Sequence, residues 1–285
     1  MIVPYYGERA ALERCLQALA LQTLDSKAIE VIVVNNRPDQ RLSLDGVSSS
    51  LNIVIAVEAR PGSYAARNRG VQLARGRWLA FTDADCVPDE RWLEAGLHHA
   101  ARHDPLGGHI ELVLTDPASL AQQYDAAFGL DQKSYVENGG FAATANLIVS
   151  KATFDKVGPF SACLRSGGDL EWCRRASRAG YPVVYCPEAI VCHPARETVR
   201  EVIRKALRVQ GGVLSLQREF HIGLALGVRR KWIDVFFPRL YVGRIRALKA
   251  SGDRSWWRLY LLACLVNALV VAELGRLRLG GTPLR

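Results

Sequence analysis

No GxGxxG follows the first apolar run, and no GxxxxGK[ST] occurs anywhere in the 285 residues. Dinucleotide redox chemistry and P-loop chemistry thereby lose their main sequence signals. The seven cysteines form no CxxC pair. That argues for reduced thiols in a cytosolic setting and against a disulfide framework. Cys163, Cys173, Cys186 and Cys192, taken with His193, lack zinc-site spacing and read as small buried residues. Met1 to Tyr5 offers no basic region followed by an apolar stretch of signal-peptide length, so secretory export is not expected. The most hydrophobic stretch, 256–274, is broken by Arg258, Asn267 and Glu273. Its uninterrupted part is shorter than the ~20 residues a spanning helix needs.

What is present points to an α/β protein. Apolar residues make up 49% of the chain, enough for one large domain plus an extension. Charge is split unevenly. From residue 195 onward there are 18 Lys and Arg against 6 Asp and Glu, net +12; residues 1–194 carry 19 against 22, net −3, which together give the +9 of the whole. A basic tail on a faintly acidic domain suggests an anionic surface as partner.

Four short apolar runs alternate with helical patterns: 2–6, 30–34, 52–57 and 77–81, with helices expected over 9–22 and from Ser63. The β-branched run Glu30 to Val34 fits a strand covered on both faces. Such alternation predicts a mostly parallel sheet with helices on both faces. Ligands of such sheets bind beyond the carboxyl ends of the strands, where Asn35, Asn36, Asp83 and Asp85 fall. Further on, helices are expected over 88–103 and 117–131, and strands over 107–114, 147–149 and 181–186.

Residues 79–86 read Leu-Ala-Phe-Thr-Asp-Ala-Asp-Cys. Two carboxylates spaced i, i+2 at the end of an apolar run can converge on one hard cation, which takes oxygen ligands and often substrate phosphates. Asp is also favoured at turns and caps, so the tripeptide alone fits a capping turn as well. Gly139 to Asn146 is a small-residue loop that allows close backbone approach or a tight turn. Asp169 follows Gly167-Gly168 at an expected helix start, where amides stabilise negative charge; it reads as an N-cap or as a general base. His193 ends an apolar run before Pro194 and reads as structural or as a metal ligand.

In this order the segments resemble family-2 glycosyltransferases of GT-A fold over about residues 1–195. The resemblance implies a Rossmann-like three-layer α/β/α sandwich at 1–195, followed by a basic helical extension at 196–285. It implies transfer of a sugar from a nucleotide-diphospho-sugar to an acceptor hydroxyl with inversion, using Mg²⁺ or Mn²⁺, in cell-surface polysaccharide or glycolipid synthesis. Pro4, Tyr5 and Glu8 correspond to the first nucleotide-binding segment. Asn35, beside Asn36, stands where the family has a base-contacting Asp. Ala66-Arg67-Asn68-Arg69-Gly70 corresponds to its ARNxG segment, with Arg67 and Arg60 as candidates for phosphates or base. Asp83-Ala84-Asp85 corresponds to the metal-binding DXD, with Asp85 as direct ligand, Asp83 reaching the ribose or a metal-bound water, and His193 completing the shell. Gly140, Phe141 and Ala142 fall in the glycine loop near the acceptor. Asp169 corresponds to the catalytic base, and Gly168 replaces the Glu before it; Glu171 is the candidate substitute, with Trp172 beside it.

Two other functions compete. A sugar-1-phosphate nucleotidyltransferase would need a Gly-rich basic opening loop, and residues 1–14 offer only Gly7 and Arg9 of that kind. A degenerate membrane-associated scaffold draws on Asn35 and Gly168 but conflicts with Asp83, Asp85, Asp169 and His193 together. In the tail, 196–210 forms a basic amphipathic pattern with Val199, Val202, Ile203, Ala206 and Gln210 on one stripe. Arg229-Arg230-Lys231-Trp232 precedes Phe236-Phe237-Pro238. Basic residues interleaved with aromatics fit helices lying in a membrane interface, at the inner face of the cell membrane and suited to a lipid-linked acceptor. The alternative is a packed subdomain with 259–272 as core helix. No nucleic-acid module accompanies the charge.

Overall fold

The structure, a computed structural model, describes residues 1–44, 51–221 and 256–282. The basic-aromatic segment 229–238 lies outside them. The described chain forms two compact units, Met1–Glu111 with Asp131–Pro194, and Leu112–Leu130 with Ala195–Arg285. Residues 112–130 group with the tail in the second unit.

The sheet has eight strands: β1 (Ile2–Tyr5), β2 (Glu30–Asn35), β3 (Asn52–Val57), β4 (Trp78–Phe81), β5 (Val87–Pro88), β6 (Leu106–Val113), β7 (Leu147–Ser150) and β8 (Val184–Pro194), in the order β3-β2-β1-β4-β7-β6-β8-β5. The first four positions are parallel, whereas β7 runs antiparallel to β4 and β6, and β5 antiparallel to β8. This is a mixed, mostly parallel GT-A-like sheet with flanking helices. The two apolar runs expected near 181–194 are one strand, β8.

Register sets the site. Tyr5 pairs with Asn35 and Asn35 with Val57, so three strands end level. Phe81 pairs with Ile2, so the chain leaving β4 still has several residues to run beside β1. Chain order reverses at β1, between β2 and β4, which opens the crevice where such sheets bind ligands.

The helices of the first unit are α1 (Arg9–Ala20), α2 (Ser63–Leu73), α3 (Trp92–Ala100), α5 (Gln132–Gly139), α6 (Lys151–Val157) and α7 (Gly168–Arg178). Helix α2 approaches the sheet closely because residue 70 is glycine: a Cβ there would lie 2.5 Å from Ile2 Cγ2. Phe81, Phe154, Phe160 and Trp172 form a ring cluster with centroids 5.3–6.0 Å apart. Each such pair adds about 0.5–1.5 kcal/mol beyond area burial.

The second unit holds α4 (Leu120–Phe128), α8 (Val199–Glu219) and α9 (Trp256–Arg278). Thr198 and Glu201 close a capping box at the start of α8. Leu259, Leu262, Ala263, Val266 and Val270 of α9 form a core with Tyr124 and Val202, against which Val199, Ile203 and Ala206 also pack. Helix α9 is long and apolar enough to cross a membrane, at mean hydropathy 1.7 over its best window, yet 39% of that window is buried in the protein. The core-helix alternative for 259–272 describes its inner face. Its outer face exposes Trp257, Leu261 and Leu265, spaced i, i+4, i+8.

Candidate active site

The Asp83–Cys86 segment is a turn, not strand, closed by the Cys86 amide donating to the Asp83 carbonyl at 3.1 Å. The two carboxylates converge because the chain bends, and not because they share a strand face. Ligand atoms of Asp83, Asp85, Cys86 and His193 lie within 4.8 Å of one another. His193 arrives from the far end of β8. With Nδ1 carrying the proton, its ring donates to the Pro194 carbonyl at 2.8 Å and leaves the Nε2 lone pair free for a ligand. The donor set of two carboxylates and an imidazole fits a divalent cation such as Mn²⁺ or Mg²⁺. Cys86 joins the cluster as a neutral thiol: burial, then Asp83 and Asp85, push its pKa well up.

Arg67 connects this cluster to the base candidate. Its guanidinium pairs with the Asp83 carboxylate and lies over the Tyr64 ring at 5.6 Å. The arginine side chain is 4% exposed, and its Nε has no hydrogen-bond partner. A buried donor of this kind is costly unless something accepts from it. Tyr64 then donates its hydroxyl to Asp169 Oδ1 at 3.2 Å, and the Leu170 amide donates to the same oxygen at 2.9 Å. Burial raises the Asp169 pKa, only partly opposed by the Leu170 amide, Arg67 and Tyr64. Asp169, Tyr64, Arg67, Asp83, Asp85 and His193 thus share one continuous network.

The ARNxG segment divides its work. Arg67 holds Asp83, Gly70 seats α2, and Asn68 brackets the Phe160 backbone with bonds of 2.7 and 2.9 Å.

With that geometry in view, the comparisons with known proteins are decisive. The profile of glycosyl transferase family 2 matches residues 1–166. Glycosyltransferase AglE of Haloferax volcanii is 34% identical over 254 residues, covering 84% of this chain and 81% of that one. The chain belongs to glycosyl transferase family 2. It is a glycosyltransferase that moves sugar from a nucleotide-sugar donor. Among solved structures, a mannosyltransferase from Pyrobaculum calidifontis in complex with GDP-Man and Mn²⁺ superposes with TM-score 0.61 at 16% identity, covering 96% of this chain and 85% of that one. The S. aureus TarS fragment 1–349 in complex with UDP gives 0.52 at 17%, covering 98% and 90%. These two likenesses concern the fold.

The departures from the family pattern have physical reasons here. A Cβ on Gly168 would lie 2.7–2.9 Å from the Tyr64 ring, so a side chain at 168 and this tyrosine position exclude one another. Asn35 is buried and turned into its own loop, donating to Gln40 O at 2.7 Å and accepting from Arg37 N at 2.9 Å. Asn36 donates to Glu58 O and Arg60 O, both at 2.7 Å, and accepts from Gly62 N at 2.8 Å. It thereby brackets the loop leading to α2.

The other candidates are held in contacts of their own. Arg60 is exposed and pairs with Glu58 at 3.3 Å. Pro4 and Tyr5 end β1, and exposed Glu8 precedes α1. Glu171 and Trp172 are built into packing. Glu171 is buried against Arg175 at 2.6 Å with Ser161 also donating to it, and Trp172 is fully buried with its indole N–H on Gly158 O at 2.8 Å. Neither presents a free polar atom to an acceptor. Gly140 caps α5 in left-handed conformation (φ 65°), Phe141 stacks on Tyr135 at 4.9 Å, and Ala142 is fully buried. Ala84 sits half-buried inside the turn. Tyr64 and Cys86 were not singled out in sequence; the signal available for Tyr64 was its i, i+3 spacing from Arg67.

Proposed function

We propose that this chain is an inverting, divalent-cation-dependent glycosyltransferase in which Asp169 is the general base. The observation that carries the reading is the unbroken chain of contacts from Asp169 through Tyr64 and Arg67 to Asp83. Asp85, His193 and Asp83 would hold a Mg²⁺ or Mn²⁺ ion, which supplies Lewis-acid stabilisation of the departing diphosphate. Arg67 keeps the Asp83 carboxylate in place, and its unpaired Nε–H offers a charge-assisted bond to donor phosphate. Asp169 takes the proton from the acceptor hydroxyl as that oxygen attacks the anomeric carbon. A single displacement inverts the centre. Tyr64 orients the carboxylate and favours its ionised form.

The donor is a nucleoside-diphospho-sugar and the acceptor a glycan or lipid-linked sugar. The relatives that bind GDP-Man or UDP support the donor class, not its base. The outer face of α9, with the basic tail, supports attachment to an anionic membrane surface at its cytoplasmic side. Flotation with anionic liposomes at low salt is expected to carry the protein upward; protein that stays at the bottom of the gradient refutes attachment. For the chemistry, Asp169→Asn loses about 10²–10⁴ in transfer rate while Mn²⁺-dependent GDP or UDP binding persists in calorimetry. Asp85→Ala loses that binding. Normal transfer by Asp169→Asn removes the assignment.

A further inference from the structure

A second cluster of ligand atoms lies away from the network described above. His99 stands in the last turn of α3, and Cys186 and Glu188 two residues apart on β8. Their ligand atoms lie within 4.8 Å of one another. His99 Nε2 is 3.2 Å from Glu188 Oε2, and Cys186 Sγ is 3.7 Å from the same oxygen. In a tetrahedral zinc site the bond lengths put such ligand pairs about 3.3–3.6 Å apart. At 3.2 and 3.7 Å the two edges lie just outside either end of that range.

We propose that His99, Cys186 and Glu188 bind Zn²⁺ as a structural clamp between α3 and β8, with water as fourth ligand. Imidazole, thiolate and carboxylate together suit Zn²⁺ and not Mg²⁺ or Ca²⁺. In the metal-free protein the Cys186 thiol donates to Glu188 Oε2. Zinc binding forms the Zn–S bond and releases the thiol proton to solvent. Cys186 is buried, whereas Glu188 is exposed and His99 half-exposed, so solvent reaches the open position. The site is distinct from the Asp85–His193 cluster: Cys186 and His193 are seven positions apart on β8, about 23 Å at strand rise. Sequence spacing hid it, because one ligand comes from another element 87 positions upstream of Cys186.

The test uses the full chain, stripped by chelator and titrated with Co²⁺ in excess Mg²⁺. A thiolate-to-Co²⁺ charge-transfer band is expected at one equivalent, in the wild type and in Cys86→Ser, and absent from Cys186→Ser. Zn²⁺ should displace the band and raise Tm in the wild type. His99→Ala and Glu188→Gln, both at solvent-reached positions, should each weaken Zn²⁺ binding about tenfold or more. No band, a band that survives Cys186→Ser, or a band lost in Cys86→Ser overturns the proposal. Should Cys186→Ser fail to fold, undiminished Zn²⁺ affinity in His99→Ala and Glu188→Gln overturns it equally.

Discussion

Each unit contains an aspartate–arginine pair, and the two are built to opposite specifications. In the second unit Asp125 is 4% exposed and saturated: Arg196 Nη1 donates to both its oxygens at 2.8–2.9 Å, the Arg196 amide adds 3.1 Å, and Lys205 reaches it at 3.4 Å. In the first unit the polarity of burial is reversed. Asp83 is 32% exposed, its partner Arg67 is nearly fully buried, and the arginine retains an unpaired Nε. A saturated pair has no capacity left for a ligand and serves packing. A half-open pair beside two further candidate ligands, Asp85 and His193, has capacity to spare, which is what a binding site requires.

The sharpest way to break this comparison is to neutralise both acids. Asp125→Asn leaves Arg196 and Lys205 buried without a counter-charge and should cost about 3–5 kcal/mol in denaturant unfolding. Asp83→Asn strips the counter-charge from one buried guanidinium, Arg67, at a pair whose acid solvent reaches, and should cost less, about 1–3 kcal/mol, while losing turnover. If Asp83→Asn proves the more destabilising, the distinction fails. The acid dependence follows the same logic. Burial alone would raise the Asp125 pKa, but Lys205 and Arg196 hold it below its ordinary value. Its stabilisation is therefore present above the unfolded value of 3.8 and lost as pH falls through the depressed native one. Asp125→Asn should flatten that acid loss. Lys205 is affected conversely: burial, then Arg196, bring its pKa down to about 8.

A middle-sized effect belongs to Gly168. Gly168→Ala drives a methyl into the Tyr64 ring and should cost about 1–3 kcal/mol by overpacking. In a double-mutant cycle, Tyr64→Ala should relieve part of that cost, with coupling of about 0.5–3 kcal/mol. Additive losses would mean that the ring and residue 168 do not compete for one space.

Much of the first unit was legible in sequence because its signals are local. An apolar run ending in Asp83-Ala84-Asp85 marks a strand end, and Gly167-Gly168-Asp169 marks a helix start; the structure puts β4 and α7 there. Side-chain direction was not legible. Glu171 looked available, but Arg175 one turn along captures it, and Asn36 looked ligand-facing but brackets a loop 22 to 26 residues away. Long-range pairing was equally hidden. Nothing local ties 112–130 to the tail; Asp125 bonding Arg196 across 71 residues does. The His99–Cys186–Glu188 cluster escaped for the same reason.

The smallest expected effect tests the network at its middle link. As the proposed base, Asp169 has to be ionised to accept a proton, and burial sets its pKa above the ordinary carboxylate value, so transfer should fall as pH drops through that raised value. For stability the sign is opposite to that of Asp125: the protonated carboxyl suits the buried position, and that advantage is lost as pH rises through the native pKa. The Tyr64 hydroxyl is one of the groups favouring the ionised form. Tyr64→Phe keeps the ring over Arg67 and removes only that donor. The acid limb of the kcat profile should then move to higher pH, with a modest loss of rate at neutral pH and little change in donor KM. A limb that stays in place or moves down would mean that Tyr64 does not tune the titrating base, and the link between Arg67 and Asp169 would be packing alone.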